Sequence, residues 1–214
     1  AQLYKAGRRG TSVTLIEYLS LCGSAVPGLN LRVLREQAEA ATRYYKGDSS
    51  ARELLVPYQE LEQRWYQSLR DGEPDYSVYS HDFFIAEVWA CWVIYSHKYL
   101  RAVRSILPRL GNVSSAVDLG CGTGLTTAEM KAIWPAAEIS GTNLPGTCQF
   151  AVARALGCKA GFEVKEYING PVDLVFASEY FEHHQRPIHH LFDVLSSEPR
   201  LLVIANSFGS RSVG

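Results

Sequence analysis

Two short stretches hold most of the side chains able to do chemistry. In "DLVFASEYFEHHQRP" an apolar run, Asp173 to Ala177, opens onto Ser178, Glu179, Tyr180, Phe181, Glu182, His183 and His184. Carboxylates and imidazoles this close together can move protons, because a histidine with a pKa of about 6.5 accepts one readily near neutral pH. Glu179, Glu182 and His183 also follow ExxEH spacing. On a helical turn this would place two carboxylates and an imidazole on one face, a donor set for a divalent cation. Three readings stay open: general base (His183 or His184, with Glu182 and Tyr180 beside them), an active-site loop, and a metal site at Glu179, Glu182 and His183, which is not favoured.

The second stretch is "SAVDLGCGTGLTTAEM", residues 115–130. Ala116 to Leu119 reads as the end of a strand, Gly120 to Gly124 as a turn, and Leu125 as the start of a helix. Glycines in such a turn let the backbone approach a ligand closely. The spacing is GxGxG after an acid; a phosphate loop needs GxxxxGK[ST] and a dinucleotide fingerprint GxGxxG. A carboxylate such as Asp118 would repel a pyrophosphate but suits a cationic amine.

The elements that must position these stretches divide the chain into two textures. Residues 1–110 read as helices: "TSVTLIEYLSLCG" with a Thr/Ser cap and an end on Gly23, "LNLRVLREQAEAATRYYKG" between Asn30 and Gly47, "SSARELLVPYQELEQRWYQSLRDG" kinked or split at Pro57, and a long aromatic helix from His81. This half holds 10 of the 12 tyrosines and 3 of the 4 tryptophans. They build either a core of large residues or an aromatic pocket wall. Residues 111–214 alternate short apolar runs with helices, the pattern of a parallel sheet with crossover helices. "LPRLGNVSS" marks the boundary.

Composition excludes several classes. Five scattered cysteines without CxxC argue against a disulfide framework or a zinc ribbon, and most read as buried thiols. Net charge is −1, with 14 basic and 12 acidic residues in 1–110 and 7 and 10 in 111–214, so neither half is a basic nucleic-acid platform. The longest apolar stretch, Phe83 to Tyr95, is interrupted by Glu87 and falls short of the roughly 18 to 20 residues of a membrane span. No signal-peptide order appears at the amino terminus, and a cytoplasmic location is expected. The missing initial Met suggests a trimmed start.

"VDLGCGTG" resembles motif I of the class I S-adenosylmethionine-dependent methyltransferases, and the resemblance runs from about Val113 to Ser207. It implies a Rossmann-like α/β sheet with S-adenosylmethionine at the carboxyl ends of its strands. Asp118, Gly120, Cys121, Gly122 and Gly124 would take the amino-acid end of the cofactor, and Ser178 would lie beside it. Asn143, with Leu144, stands where the family has an acid for the ribose hydroxyls; an amide offers one acceptor and one donor there, without charge. Glu166 is either an adenine contact or a solvated acid.

Glu182 and His183 match the family's "xxLEHxxxP" pattern. The ExxEH cluster resembles those of small-RNA terminal 2′-O-methyltransferases and ubiquinone-pathway O-methyltransferases. The implied function is methyl transfer to oxygen or nitrogen of a small molecule, with residues 1–110 as a cap that selects it. Two alternatives are a non-catalytic cofactor-binding or assembly module and a metal-assisted nucleic-acid methyltransferase. Only five strands are legible where the family has seven. The chain is therefore expected to be truncated, or its sheet edge to be covered by the amino-terminal helices, by a second copy or by a partner chain.

Overall fold

The computed structural model describes residues 13–106 and 112–206. Helix α1 (Leu15–Ala25) starts at a capping box in which the Thr14 N–H donates to Glu17 Oε2 (2.7 Å) and the Glu17 N–H to Thr14 Oγ1 (3.2 Å). It continues past Gly23 to Ala25, beyond the expected stop. Gly23 is there for packing, since a Cβ would lie 2.9 Å from Leu31 Cδ1 at the start of α2 (Leu31–Tyr45). Asn30 caps α2 as expected by accepting the Val33 N–H at 3.2 Å.

Pro57 does split the next helical stretch. Ser49–Leu55 forms 3-10 turns, and α3 (Val56–Asp71) begins with the proline in its first turn, where a missing N–H costs nothing. The long aromatic helix is α4 (Phe83–Cys91), a π-helical turn at Trp92–Ser96, and α5 (His97–Ile106).

The second half runs β1 (Ser115–Leu119), α6 (Leu125–Ile133), β2 (Glu138–Thr142), α7 (Cys148–Ala160), β3 (Glu163–Lys165), β4 (Leu174–Ser178), α8 (Pro187–Leu195) and β5 (Leu201–Ala205). The five strands pair in parallel in the order β3-β2-β1-β4-β5. Chain direction across the sheet reverses between β1 and β4, so their carboxyl ends flank the crevice where such sheets bind ligands.

The helical half and the sheet share one core. Tyr18, Leu34, Trp89 and Leu100 belong to the same buried cluster as Ala116, Leu125, Val152 and Phe176. The Tyr18 hydroxyl donates to the Ile85 carbonyl (2.7 Å) and lies 3.2 Å from the Thr123 hydroxyl, joining α1, α4 and the glycine turn. The expected boundary near residue 110 falls at the edge of the undescribed residues 107–111.

All five cysteines are free, yet only Cys22 and Cys121 are buried; Cys91 and Cys148 are half-buried and Cys158 is exposed. No helix among the described residues is long and apolar enough to cross a membrane. Strand β5 is an outer strand of the described sheet. Beside it α8 exposes Ile188 (61%) and Phe192 (66%), four residues apart on one face.

Asp173 fastens the entry side of the sheet. Its Oδ2 accepts the Ser114 N–H (2.7 Å), the Ser114 hydroxyl (2.6 Å) and the Ser115 N–H (3.2 Å), and Arg200 reaches Oδ1 at 3.0 Å. These donors, Ser114 first, hold its carboxyl well below the usual range. Replacing Asp173 by Ala orphans these donors and is expected to cost about 2 kcal/mol, a loss of roughly 4–8 °C in Tm. The depressed pKa makes this stability present above about pH 4 and lost as the pH falls further, so wild type and variant should converge in thermal melts in acid.

Candidate functional site

The glycine turn is tied to the end of β2. The Cys121 N–H donates to the Thr142 carbonyl (2.8 Å), the Gly120 N–H to Thr142 Oγ1 (3.2 Å), and Asn143 Nδ2 to the Gly122 carbonyl (2.6 Å). Asn143 Oδ1 in turn accepts the Leu144 N–H at 2.8 Å. The Asn143 amide thus braces the turn, with one further N–H and one lone pair to offer a ligand. Gly120, Gly122 and Gly124 have φ of +61°, +54° and +82°, a region costly for other residues.

The three glycines face different neighbours. A Cβ on Gly120 would run into the Tyr180 ring, and one on Gly122 would meet the Val88 methyls at 3.0 and 3.1 Å. Gly124 faces Phe162 Cζ (2.8 Å) and the Ala153 backbone, so it packs α6 against α7 and does not line the cavity described below.

Asp118 is 3% exposed. Burial lifts its carboxyl to about 7, against the pull of the Thr127 hydroxyl, which donates to it at 2.6 Å. Burial also raises the Cys121 thiol.

Beyond β4 the chain does not form the helical turn that ExxEH spacing predicts. Glu179 takes a left-handed conformation (φ +49°), held by its N–H donating to the Ala205 carbonyl at 2.8 Å. A 3-10 turn then spans Phe181–His183, so Glu179 lies outside the turn that carries Glu182 and His183. Among the described residues no three His, Cys, Asp or Glu side chains are arranged to hold a metal ion.

What this segment does assemble is a set of unsatisfied polar groups. Among the described residues Ser178 Oγ, Glu182 Oε2, His183 Nδ1 and Trp65 Nε1 are buried without a hydrogen-bond partner. Each such atom is a cost that a ligand can relieve. Burial, reinforced by Glu179, raises Glu182 to about 8, and burial lowers His183 to about 4. His184 falls to about 4 through burial and the neighbouring His190 and His183. At neutral pH Glu182 is therefore a proton donor and both histidines are uncharged acceptors. Tyr180 shares a 2.7 Å hydrogen bond with His190 Nε2, and His190 stacks on His184 with ring centroids 4.1 Å apart.

One cavity of about 1070 Å³ joins the two stretches. Its lining includes Asp118, Gly120, Cys121, Gly122, Asn143, Leu144, Glu166 and Ser178, and also Glu182, His183 and His184 together with aromatic residues of the helical half. The tyrosines and tryptophans therefore act both ways: Tyr18 and Trp89 are core, whereas Tyr45, Tyr58, Trp65 and Tyr79 line the cavity. The π turn brings Trp92, Tyr95 and Ser96 to the same wall.

Sequence reasoning missed Glu87 as a site residue. It lines the cavity, accepts the Tyr45 hydroxyl at 2.8 Å, and is raised to about 7 by burial, with the Tyr58 and Tyr45 hydroxyls pulling it back down. Its signal was a lone carboxylate in the apolar run Phe83 to Tyr95.

No family model and no curated protein matches the chain. Among solved structures it is similar to a candidate O-methyltransferase from Nostoc punctiforme PCC 73102, at 13% identity over 58% of this chain and 41% of that one, with a TM-score of 0.47. It is also similar to the plantazolicin methyltransferase BpumL in complex with SAH (16% identity, 76% and 54% coverage, TM-score 0.41). The S-adenosylmethionine-dependent methyltransferase SibL in its apo form is a third (17% identity, 76% and 51% coverage, TM-score 0.41). The described sheet, five parallel strands in the order β3-β2-β1-β4-β5 with crossover helices, is of the Rossmann-like α/β type. The chain spans 41%, 54% and 51% of the length of these three proteins.

The raised pKa of Asp118 has a measurable consequence. Because the folded protein keeps this proton until about pH 7 and the unfolded chain releases it near pH 4, stability from this group falls as the pH rises through that window. Asp118→Asn removes the titration. Its Tm relative to wild type is expected to rise between pH 5 and pH 8 by at least about 2–4 °C, corresponding to about 1 kcal/mol; parallel curves would contradict the assignment.

Proposed function

We propose that the protein is an S-adenosylmethionine-dependent methyltransferase acting on oxygen or nitrogen of a small-molecule acceptor. The observation that carries this reading is the continuous cavity between the glycine turn and the unsatisfied groups after β4. Its volume of about 1070 Å³ stands at the upper end of the ligand-pocket range of about 300–1,000 Å³, with room for cofactor and acceptor side by side.

The cofactor end fits its ligand. Gly120 and Gly122 leave backbone accessible, and the buried Asp118 carboxyl gains from an ammonium group because a cation would restore its ionised form. Asn143 and Leu144 stand at the ribose side, with the spare N–H and lone pair of the amide for the hydroxyls; Ser178 Oγ is an unpaired group beside them. When bound, the cofactor supplies an electrophilic methyl group on a sulfonium.

The rest falls to the chain's own side chains. Helices α2 to α4 and the π turn enclose the acceptor in an aromatic wall that excludes water, and holding the reactants in line removes several kcal/mol of barrier. His183, uncharged with Nδ1 unpaired, takes the acceptor proton, and His184 is the second base within the same turn. Glu182, protonated at neutral pH, orients the acceptor by donating a hydrogen bond. Tyr180, braced by His190, separates the two ends. A cavity without lysine or arginine among its described lining residues suits a small molecule better than a nucleic acid, which needs cationic contacts.

Calorimetry with S-adenosylmethionine and SAH tests the reading. Micromolar binding of both is expected, weakened at least tenfold by Asp118→Asn and abolished by Gly120→Ala, whose Cβ meets the Tyr180 ring. Absence of binding by the wild-type protein would favour a non-catalytic module.

A further inference from the structure

The acceptor half of the cavity has an unusual balance of charge. Besides Glu62 of α3, three carboxyl groups, Glu87, Glu179 and Glu182, line it, Glu87 from α4 and the other two from the segment after β4. Among the described lining residues no lysine or arginine answers them. Glu87 is enclosed by protein and held by neutral donors, the Tyr45 and Tyr58 hydroxyls. The Tyr45 ring lies edge-on to Tyr95 at 5.6 Å between centroids, so a second ring stands beside the tyrosine that donates to this carboxyl. In the segment after β4, Glu182 Oε2 and His183 Nδ1 are buried without a hydrogen-bond partner.

A buried carboxylate without a countercharge is costly, and neutral phenols offset only part of that cost. Aromatic rings favour an organic cation at their faces, and more strongly when it is desolvated. An anionic acceptor would meet carboxyl groups and no lysine or arginine among the described lining residues. A neutral acceptor would leave Glu87 without a countercharge.

We infer that the acceptor is a small organic cation, an amine, amidine or guanidine with an aromatic or apolar body, whose positive group sits against Glu87 among Tyr45, Tyr58 and Tyr95. This rests on the methyltransferase reading for the word acceptor, though the cation site stands on the cavity itself. Glu87 is then a specificity-determining residue: it selects charge, while the aromatic wall takes the body of the ligand.

Three matched probes read the site by calorimetry, with and without saturating SAH: tyramine, the neutral 4-hydroxyphenethyl alcohol, and 4-hydroxyphenylacetate. Tyramine is expected to bind at least tenfold more tightly than the alcohol, and the acid not at all. Glu87→Gln, nearly isosteric, should bring tyramine down to the affinity of the alcohol, with a thermal melt confirming that the variant folds. Equal affinities for the three probes, no binding of any, or an unchanged tyramine affinity in a folded Glu87→Gln protein would overturn the inference. Failure of SAH to bind while tyramine selectivity persists would sink the cofactor reading alone; SAH binding without amine selectivity would sink this one alone.

Discussion

Every feature of the site depends on the grip of β2 on the glycine turn. Thr142 uses both its carbonyl and its hydroxyl to hold the Cys121 and Gly120 amides, and Asn143 reaches back to the Gly122 carbonyl. These bonds satisfy backbone groups that a turn at the end of a central strand would otherwise bury unpaired. They also hold Gly120 and Gly122 at positive φ, and so keep open the surface against which Tyr180 and Val88 close. An acid at position 143 would leave the Gly122 carbonyl without its donor. The amide at this position has a structural role in this chain that a carboxylate could not fill.

Around that fixed turn the protein accumulates groups in their less usual protonation states. Asp118, Glu87 and Glu182 are all raised by burial, and His183 and His184 are lowered by it. A single perturbed group is often a structural accident; five around one cavity are the pattern of a binding or catalytic site. The shifts agree in direction, since each keeps a group neutral where no opposite charge is supplied. The ligand-free site is therefore electrically quiet at neutral pH but poised to charge when a cation enters, because a cation lowers the pKa of every nearby carboxyl at once.

Most of the architecture was legible in the sequence because it rests on local chemistry. Asn30 announced α2 by its cap, Pro57 split a helix where its missing N–H could be tolerated, and the five apolar runs became five parallel strands. Where local rules misled, tertiary packing had overridden them. Gly23 read as a stop but is a contact with Leu31, and ExxEH read as a helical face but is broken at Glu179 by a left-handed residue bonded to β5. The glycine turn and the post-β4 cluster were found from spacing, whereas Glu87 and its tyrosines were not, since they meet only when α2, α3 and α4 fold together.

The two halves of the chain form one mechanical unit. Tyr18 bonds α4 and touches the turn through Thr123, while Trp92 in the π turn donates to Glu129 of α6 at 3.2 Å. The extra residue of a π turn shifts the helical register, so the residues after it point where an unbroken helix would not place them. Trp92 and Tyr95 are thereby turned to the cavity while Leu100 and Val103 further along still reach the shared core. The aromatic wall of the cavity is thus anchored in the same hydrophobic cluster as the sheet. Tyr18, through Thr123, and Val88, against Gly122, carry the contacts of the helical half to the glycine turn.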